Sequence, residues 1–218
     1  MINPKRFRAE FISFDEIAKI VSVLRAQYPL CNRLPLDILV FAEHDLKLDF
    51  QFAPIQNLGQ DAFLLSDLSG IVFDSDSFIS DKYSYRLRFS VAHELGHFFL
   101  HKSIYKQAAF STIEEWLDYV DAIPKDEYQK IEWQADEFAG QLLVPIDKLK
   151  LALEETITDA GHEGMFTLGE DAVLDFCCKA MQREFGVSIS ALATRLRRSK
   201  LWPHPRVPGS SFYNSPDD

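Results

Sequence analysis

Long apolar runs are missing from this sequence. The longest, such as Ile38 to Ala42, fall far short of the roughly 20 residues that a helical membrane span needs. Positive charge is scarce as well: Lys and Arg total 23 against 33 Asp and Glu, a net charge of −10. A surface that acidic repels phosphate backbones, which argues against nucleic-acid binding by the protein as a whole and leaves room only for a local basic patch. Cysteine is limited to Cys31, Cys177 and Cys178, with no C-x-x-C pair and two of the three adjacent. A disulfide framework is therefore not expected, and a reducing, cytoplasmic location fits best. Met1 to Glu10 carries Lys5, Arg6, Arg8 and Glu10 with no apolar run behind them, so no secretory leader is expected. Internal repeats and low-complexity blocks are absent too.

What is present suits a folded domain. Of 218 residues, 47% are hydrophobic and 26% charged, and 18 Phe supply material for a core. This is the balance of one globular domain, or of one domain with a small appendage. Ser13-Phe14-Asp15-Glu16 reads as a capping box. Ile17, Ile20, Val21 and Leu24 follow at helical spacing until Pro29. A short helix is expected over 35–44. From Leu46 the period becomes two, with Leu48, Phe50 and Phe52 on one face. Turn residues Asn57-Leu58-Gly59 and two further short strands, 62–65 and 71–73, complete a small sheet of three strands, mostly antiparallel.

Helices are expected next over 86–104, from Ser111, over 126–143 behind Pro124, and again from Ile146. The stretch 156–169 holds three Gly and reads as a loop. Two more helices, 171–185 and 188–200, flank Gly186. The tail from Trp202 has Pro203, Pro205, Pro208 and Pro216 and is expected to be disordered. The fold class is α+β, mostly helical.

The chemistry concentrates in His93-Glu94-Leu95-Gly96-His97. Residues four apart share a helix face, so His93 and His97 can aim two imidazoles at one metal ion. Glu94 is then placed to touch a water on that metal: two ligands plus a general base. A catalytic zinc takes a third protein ligand and keeps one open position. Glu132-Trp133-Gln134-Ala135-Asp136 puts two acids four apart on a later helix. Ligation by Glu132 leaves Asp136 free to accept a hydrogen bond from a ligating imidazole, which such ligands usually require. Ala135, Ala139 and Gly140 are small enough to let that helix come close. Gly96 costs about 1 kcal/mol in a helix relative to Ala, and close approach of another backbone or of substrate would explain it.

His101 extends the histidine stripe, but the third-histidine position of a metzincin is occupied by Ser103. A helix-end or supporting role for His101 is expected, with ligation only if the helix bends. Tyr83, Tyr85, Arg86, Arg88 and Tyr105 are candidates for stabilising a developing oxyanion. Sequence does not choose among them.

The run from Tyr85 through His97 resembles the signature helix of the ImmA/IrrE family of metallopeptidases. The segment from Glu132 to Ala139, with Leu142, Leu143 and Pro145, resembles the family's second signature. Segment 36–52, Phe185-Gly186-Val187-Ser188 and Arg195-Leu196 are also similar, so the resemblance spans roughly residues 10–200. It implies Zn2+ held by His93, His97 and Glu132, Glu94 as general base, and a helix-turn-helix repressor as the protein substrate, cut in trans. The expected division is a zincin-like domain over 1–155, a helical subdomain over 156–201 whose last two helices resemble a helix-turn-helix, and a tail over 202–218.

Zinc would lower the pKa of its bound water to near 7, and Glu94 would take the proton and pass it to the leaving amine. Manganese or iron would also suit such a donor set. The competing reading is a non-proteolytic regulator that uses zinc structurally and binds a partner protein or DNA. Arg195, Arg197, Arg198 and Lys200 cluster near the chain's last helix end. DNA is one reading of them, disfavoured by the net charge of −10; neutralising a helix dipole or docking an acidic patch on a protein partner accounts for them at least as well. An intact Glu94 beside both histidines favours the enzyme, since a structural site has no use for a base.

Overall fold

A computed structural model of the chain describes residues 7–55, 61–79, 84–108 and 113–207. The turn at Asn57-Leu58-Gly59, Tyr83, the helix start at Ser111-Thr112 and the tail over 208–218 lie outside the described residues. By its contacts the chain divides into two units, Met1–Arg33 with Asp37–Leu142 and Leu34–Leu36 with Leu143–Asp218.

The first unit opens with helix α1 (Phe14–Gln27), and the expected capping box is made in both directions. Glu16 N–H donates to Ser13 Oγ, and Glu16 Oε2 accepts from Ser13 N–H at 2.8 Å. The helix closes before Pro29, where a 3-10 turn takes over. A short α2 (Ile38–Val40) continues into a wider turn, Phe41–Asp45. Three strands follow: β1 (Asp49–Ala53), β2 (Ala62–Leu64) and β3 (Gly70–Asp74).

Their order is β1-β3-β2. β2 and β3 pair antiparallel across a tight turn, whereas β1 runs parallel to β3. The sheet is thus mixed rather than mostly antiparallel. β3 is buried along its whole length and takes a partner on each edge, and only the hairpin partner must run antiparallel. Phe50 and Phe52 both pack on Phe73, with ring centroids 4.9 and 5.9 Å away, as their shared face requires.

Helices α3 (Ser75–Ile79), α4 (Ser84–Leu100), α5 (Lys102–Ala108), α6 (Ile113–Ala122) and α7 (Lys125–Leu143) complete the unit. The single helix expected over 86–104 is in fact two, broken at His101. Pro124 stands one position outside α7, its carbonyl accepting from the N–H groups of Glu127 and Tyr128. α4 and α7 come into backbone contact. A Cβ added to Gly96 would lie 2.8 Å from Ala135 Cα and 2.9 Å from Ala135 O. Beside them, Phe99 stacks on Phe138 at 5.5 Å.

The segment before α1 is bound along α7, a feature with no periodic signal in the sequence. Phe7 packs with Ile123 and Ile131. Ala9 N–H donates to Glu127 Oε2 at 2.8 Å, and Gln134 Nε2 donates to Glu10 O at 2.9 Å. Phe11 stacks on Trp133, and Gln141 Nε2 donates to Phe14 O.

In the second unit, α8 (Ile146–His162), a 3-10 turn at Met165–Leu168, α9 (Glu170–Phe185) and α10 (Ile189–Arg198) follow in order. The loop expected over 156–169 is helix as far as His162, so residues 155 and 156 fall inside α8. Three Gly in that stretch suggested a break, but Gly161 sits within the helix. Thr156 returns its hydroxyl to the carbonyls of Ala152 and Leu153, and Ile157 and Ala160 are fully buried. The chain turns only at Gly164 and Gly169, both at positive φ (70° and 92°).

Gly186 caps α9 at φ 63°, and Ser188 caps α10 by accepting from Ala191 N–H. Arg195 is buried, its Nε donating to Val144 O, so the exposed basic cluster comprises Arg197, Arg198 and Lys200 alone. Cys177 and Cys178 are buried thiols, as is Cys31 in the first unit.

Disorder was expected from residue 202, yet Trp202, His204 and Val207 are buried. His204 Nε2 and Arg206 meet Glu154, and Arg206 also reaches Thr158 Oγ1. Proline and polar composition hid these anchors.

Two substitutions test this packing. Gly96→Ala gains about 1 kcal/mol of helix propensity. It should nonetheless lower stability, because overpacking costs ~1–3 kcal/mol and a backbone neighbour cannot rotate away. Urea denaturation should show a lower midpoint at unchanged slope. Trp202→Ala should cost about 3 kcal/mol, as for other buried aromatics, and a matching fall in Tm would separate a packed 202–207 segment from a disordered one.

Candidate metal centre

Three donors from two helices of the first unit converge. His93 and His97 project one turn apart from α4, and Glu132 from α7; their ligand atoms all lie within 4.8 Å of one another. The Nε2 atoms of His93 and His97 are 3.0 Å apart. Glu132 Oε2 is 3.4 Å from His93 Nε2, and Oε1 is 3.5 Å from His97 Nε2. Tetrahedral zinc with bonds near 2.1 Å separates its donors by about 3.4 Å, so the spacing fits such an ion. On α4 the backbone contact at Gly96 falls between His93 and His97, and on α7 its partner Ala135 lies three residues after Glu132, so the contact sets this spacing.

The second nitrogens of the two imidazoles differ in their partners. His93 Nδ1 lies 2.9 Å from Asp136 Oδ1. A carboxylate can only accept, so Nδ1 carries a proton, and in the neutral ring Nε2 is the nitrogen left with a lone pair. His97 Nδ1 lies 3.0 Å from His101 Nδ1, and His101 Nε2 lies 2.8 Å from Gln134 Oε1. The break between α4 and α5 is where His101 sits. It is buried against His97 and supports a candidate ligand rather than joining the cluster of three.

Electrostatics follow this arrangement. Burial alone would lower His93, but the Asp136 and Glu132 carboxylates overcome it and raise its pKa to about 10. Glu132 is driven well below the carboxylate range: burial opposes this, but its bonds to His93 and His97 prevail. The donor set therefore favours positive charge at its centre. His101, buried and beside His97, is lowered to about 3 and stays neutral.

Glu94 is buried at the same place. Its Oε2 accepts from Leu64 N–H of β2 at 2.8 Å, leaving its other oxygen for a proton. Burial raises its pKa; His97, His93 and the Leu64 N–H pull the other way.

The accessory candidates separate. Tyr105 is buried with its ring 6.0 Å from that of His97, and burial followed by the Glu94 and Glu132 charges raises its hydroxyl pKa. Arg86 pairs with Asp61. Arg88 has Asp37 as its charged neighbour, with Tyr85 beside it. Five residues from His93, Arg88 lies about 140° round α4.

Sequence reading did not single out Tyr128, Gln134 or Leu64. Tyr128 has its pKa raised by burial and then by the Glu132 carboxylate. Its position four residues before Glu132 was the available signal. Gln134 had no signal of that kind, and Leu64 acts through its backbone.

No curated protein matches the chain. A family model described as peptidase M78, IrrE N-terminal-like domain, matches residues 79–197, which include His93, Glu94, His97 and Glu132. With more than half of its length inside that match, this chain belongs to the IrrE N-terminal-like family of metallopeptidases.

Proposed function

We propose that the protein is a zinc-dependent endopeptidase that cleaves a DNA-binding regulatory protein in trans, with Glu94 as general base. The observation that carries this reading is the buried Glu94 carboxyl, one oxygen tied to the β2 backbone, beside three convergent donors. A purely structural site has four protein ligands. Here three side chains group, and the next acid is a poised base. Zinc at this place would polarise the scissile carbonyl and make a hydroxide nucleophile available near neutral pH.

The chain's own residues do the rest. His93, His97 and Glu132 hold the ion, and Asp136 orients His93. Glu94 accepts the proton of the attacking water and returns it to the leaving amine, a role for which its raised pKa suits it. Tyr105 and Tyr128 stand near enough to Glu94 and Glu132 to feel their charges, which makes their hydroxyls the stronger candidates to steady the oxyanion.

The repressor substrate rests on the family resemblance, and the acidic surface agrees with a protein rather than a nucleic-acid partner. A cytoplasmic location is supported by three buried free thiols. Among the described residues no helix is long and apolar enough to cross a membrane.

Glu94→Gln should bind zinc within a few-fold of wild type while cleavage of a helix-turn-helix repressor falls by about 10²–10⁴-fold. Zinc titration beside a gel assay reads both; equal cleavage by the two proteins would sink the catalytic reading. A silent Glu94→Gln with a disruptive His93→Ala would instead indicate a structural metal.

Zinc uptake should also release protons. His93 has a raised pKa of about 10, so it is protonated below that pH and the proton competes with metal. Apparent affinity should therefore rise with pH across the neutral range. Calorimetry in buffers of different ionisation enthalpy should show release of about one proton per ion.

A further inference from the structure

A ligating imidazole must present a bare nitrogen, and a neutral imidazole has two ways to carry its one proton. For His93 the Asp136 carboxylate decides. His97 faces another histidine, which can donate or accept, so the pair alone leaves the direction open. The direction is decided further away. His101 Nε2 meets Gln134 Oε1 at 2.8 Å, and Gln134 Nε2 donates to Glu10 O at 2.9 Å.

A backbone carbonyl has no proton to give. The Gln134 amide must turn its NH2 toward Glu10, which turns its oxygen toward His101. That oxygen can only accept, so His101 carries its proton on Nε2 and leaves Nδ1 bare. His97 must then donate from Nδ1, and its Nε2 is left unprotonated, 3.0 Å from His93 Nε2. His97, His101 and Gln134 are all buried, where reversing the chain would set two lone pairs or two N–H groups against each other without water to relieve them.

We infer that His101 and Gln134 are positioning residues: with the Glu10 carbonyl they form a one-way hydrogen-bond chain that holds His97 in its metal-binding tautomer. The anchor of this chain is held firmly. Ala9 N–H is tied to Glu127, Phe7 is packed with Ile123 and Ile131, and Phe11 is stacked on Trp133. The segment before α1 thereby takes part in the metal centre without contributing a ligand. The two imidazoles are also unequal, His93 being backed by an anion and His97 by a neutral chain. The inference rests on His97 as a ligand for its purpose, but the direction of the chain stands apart from any metal.

Two measurements on the full chain test it. Long-range 1H–15N correlation of histidine-labelled wild-type protein without metal should show His101 protonated at Nε2 and bare at Nδ1. The opposite tautomer would overturn the inference. Zinc affinity, measured by chelator competition, should then separate two variants. His101→Gln keeps an acceptor toward His97 and a donor toward Gln134, and should stay within about threefold of wild type. His101→Leu has neither, and should bind about 10–100-fold more weakly.

A packing role predicts the reverse order, since leucine fills the apolar volume at least as well; equal or tighter binding by His101→Leu would therefore overturn the proposal. The wild-type spectrum still decides if His101→Leu fails to fold. Wild-type protein that shows the expected tautomer yet binds no zinc would mean that the metallopeptidase reading has failed while the chain's direction holds.

Discussion

The close approach of α4 to α7 is the contact on which the candidate site depends. Gly96 lies against the Ala135 backbone with no room for a Cβ. The donors bracket that contact: His93 and His97 stand three positions before and one after Gly96, and Glu132 stands three before Ala135. A helix is rigid over one turn, so fixing the two backbones at this point fixes the distances among all three side chains. The small residues on α7 and the glycine on α4 are one solution seen from two sides. Phe99 on Phe138 extends the same seam in apolar material.

Around that seam the site is built from elements far apart in sequence. β2 lends a backbone N–H to Glu94, so the antiparallel hairpin of the sheet also orients that carboxyl. The segment before α1 lends a carbonyl to Gln134 and, through His101, acts on His97. Asp136 acts on His93 from α7. Glu94, His97, His101 and Gln134 are buried, where an unmatched donor or acceptor costs most, whereas Asp136 is partly exposed. Satisfaction of those groups is thus also specification of protonation: the hydrogen bonds that stabilise the interior decide which atoms can bind a cation.

Charge is distributed in keeping with that. Glu132 and Asp136 face the histidines and hold positive charge between them, while Glu94 keeps a raised pKa in the same small volume. Glu132 and Glu94 are the same residue type and differ by environment alone. One is surrounded by imidazoles that favour its anion, and the other is shut away from water with a single strong donor.

Features carried by local spacing were legible in the sequence. The capping box at Ser13, the His93/His97 pair, the Glu132/Asp136 pair and the glycine that needs a reason are patterns within one or two helical turns, where the 3.6-residue period translates directly into geometry. The parallel pairing of β1, the helical 156–162 stretch and the buried 202–207 segment were not legible. The first and last rest on partners elsewhere in the chain: Phe73 for Phe50, and Glu154 for His204 and Arg206. Composition also misled where Gly161 sits inside a helix whose buried face outweighs its propensity. The sequence by itself determined which residues can hold a metal and which can act as a base, because those are properties of side-chain type and helical phase. Only the tertiary structure decided which imidazole nitrogen is free and which carboxylate is raised, because those depend on distant donors, acceptors and burial.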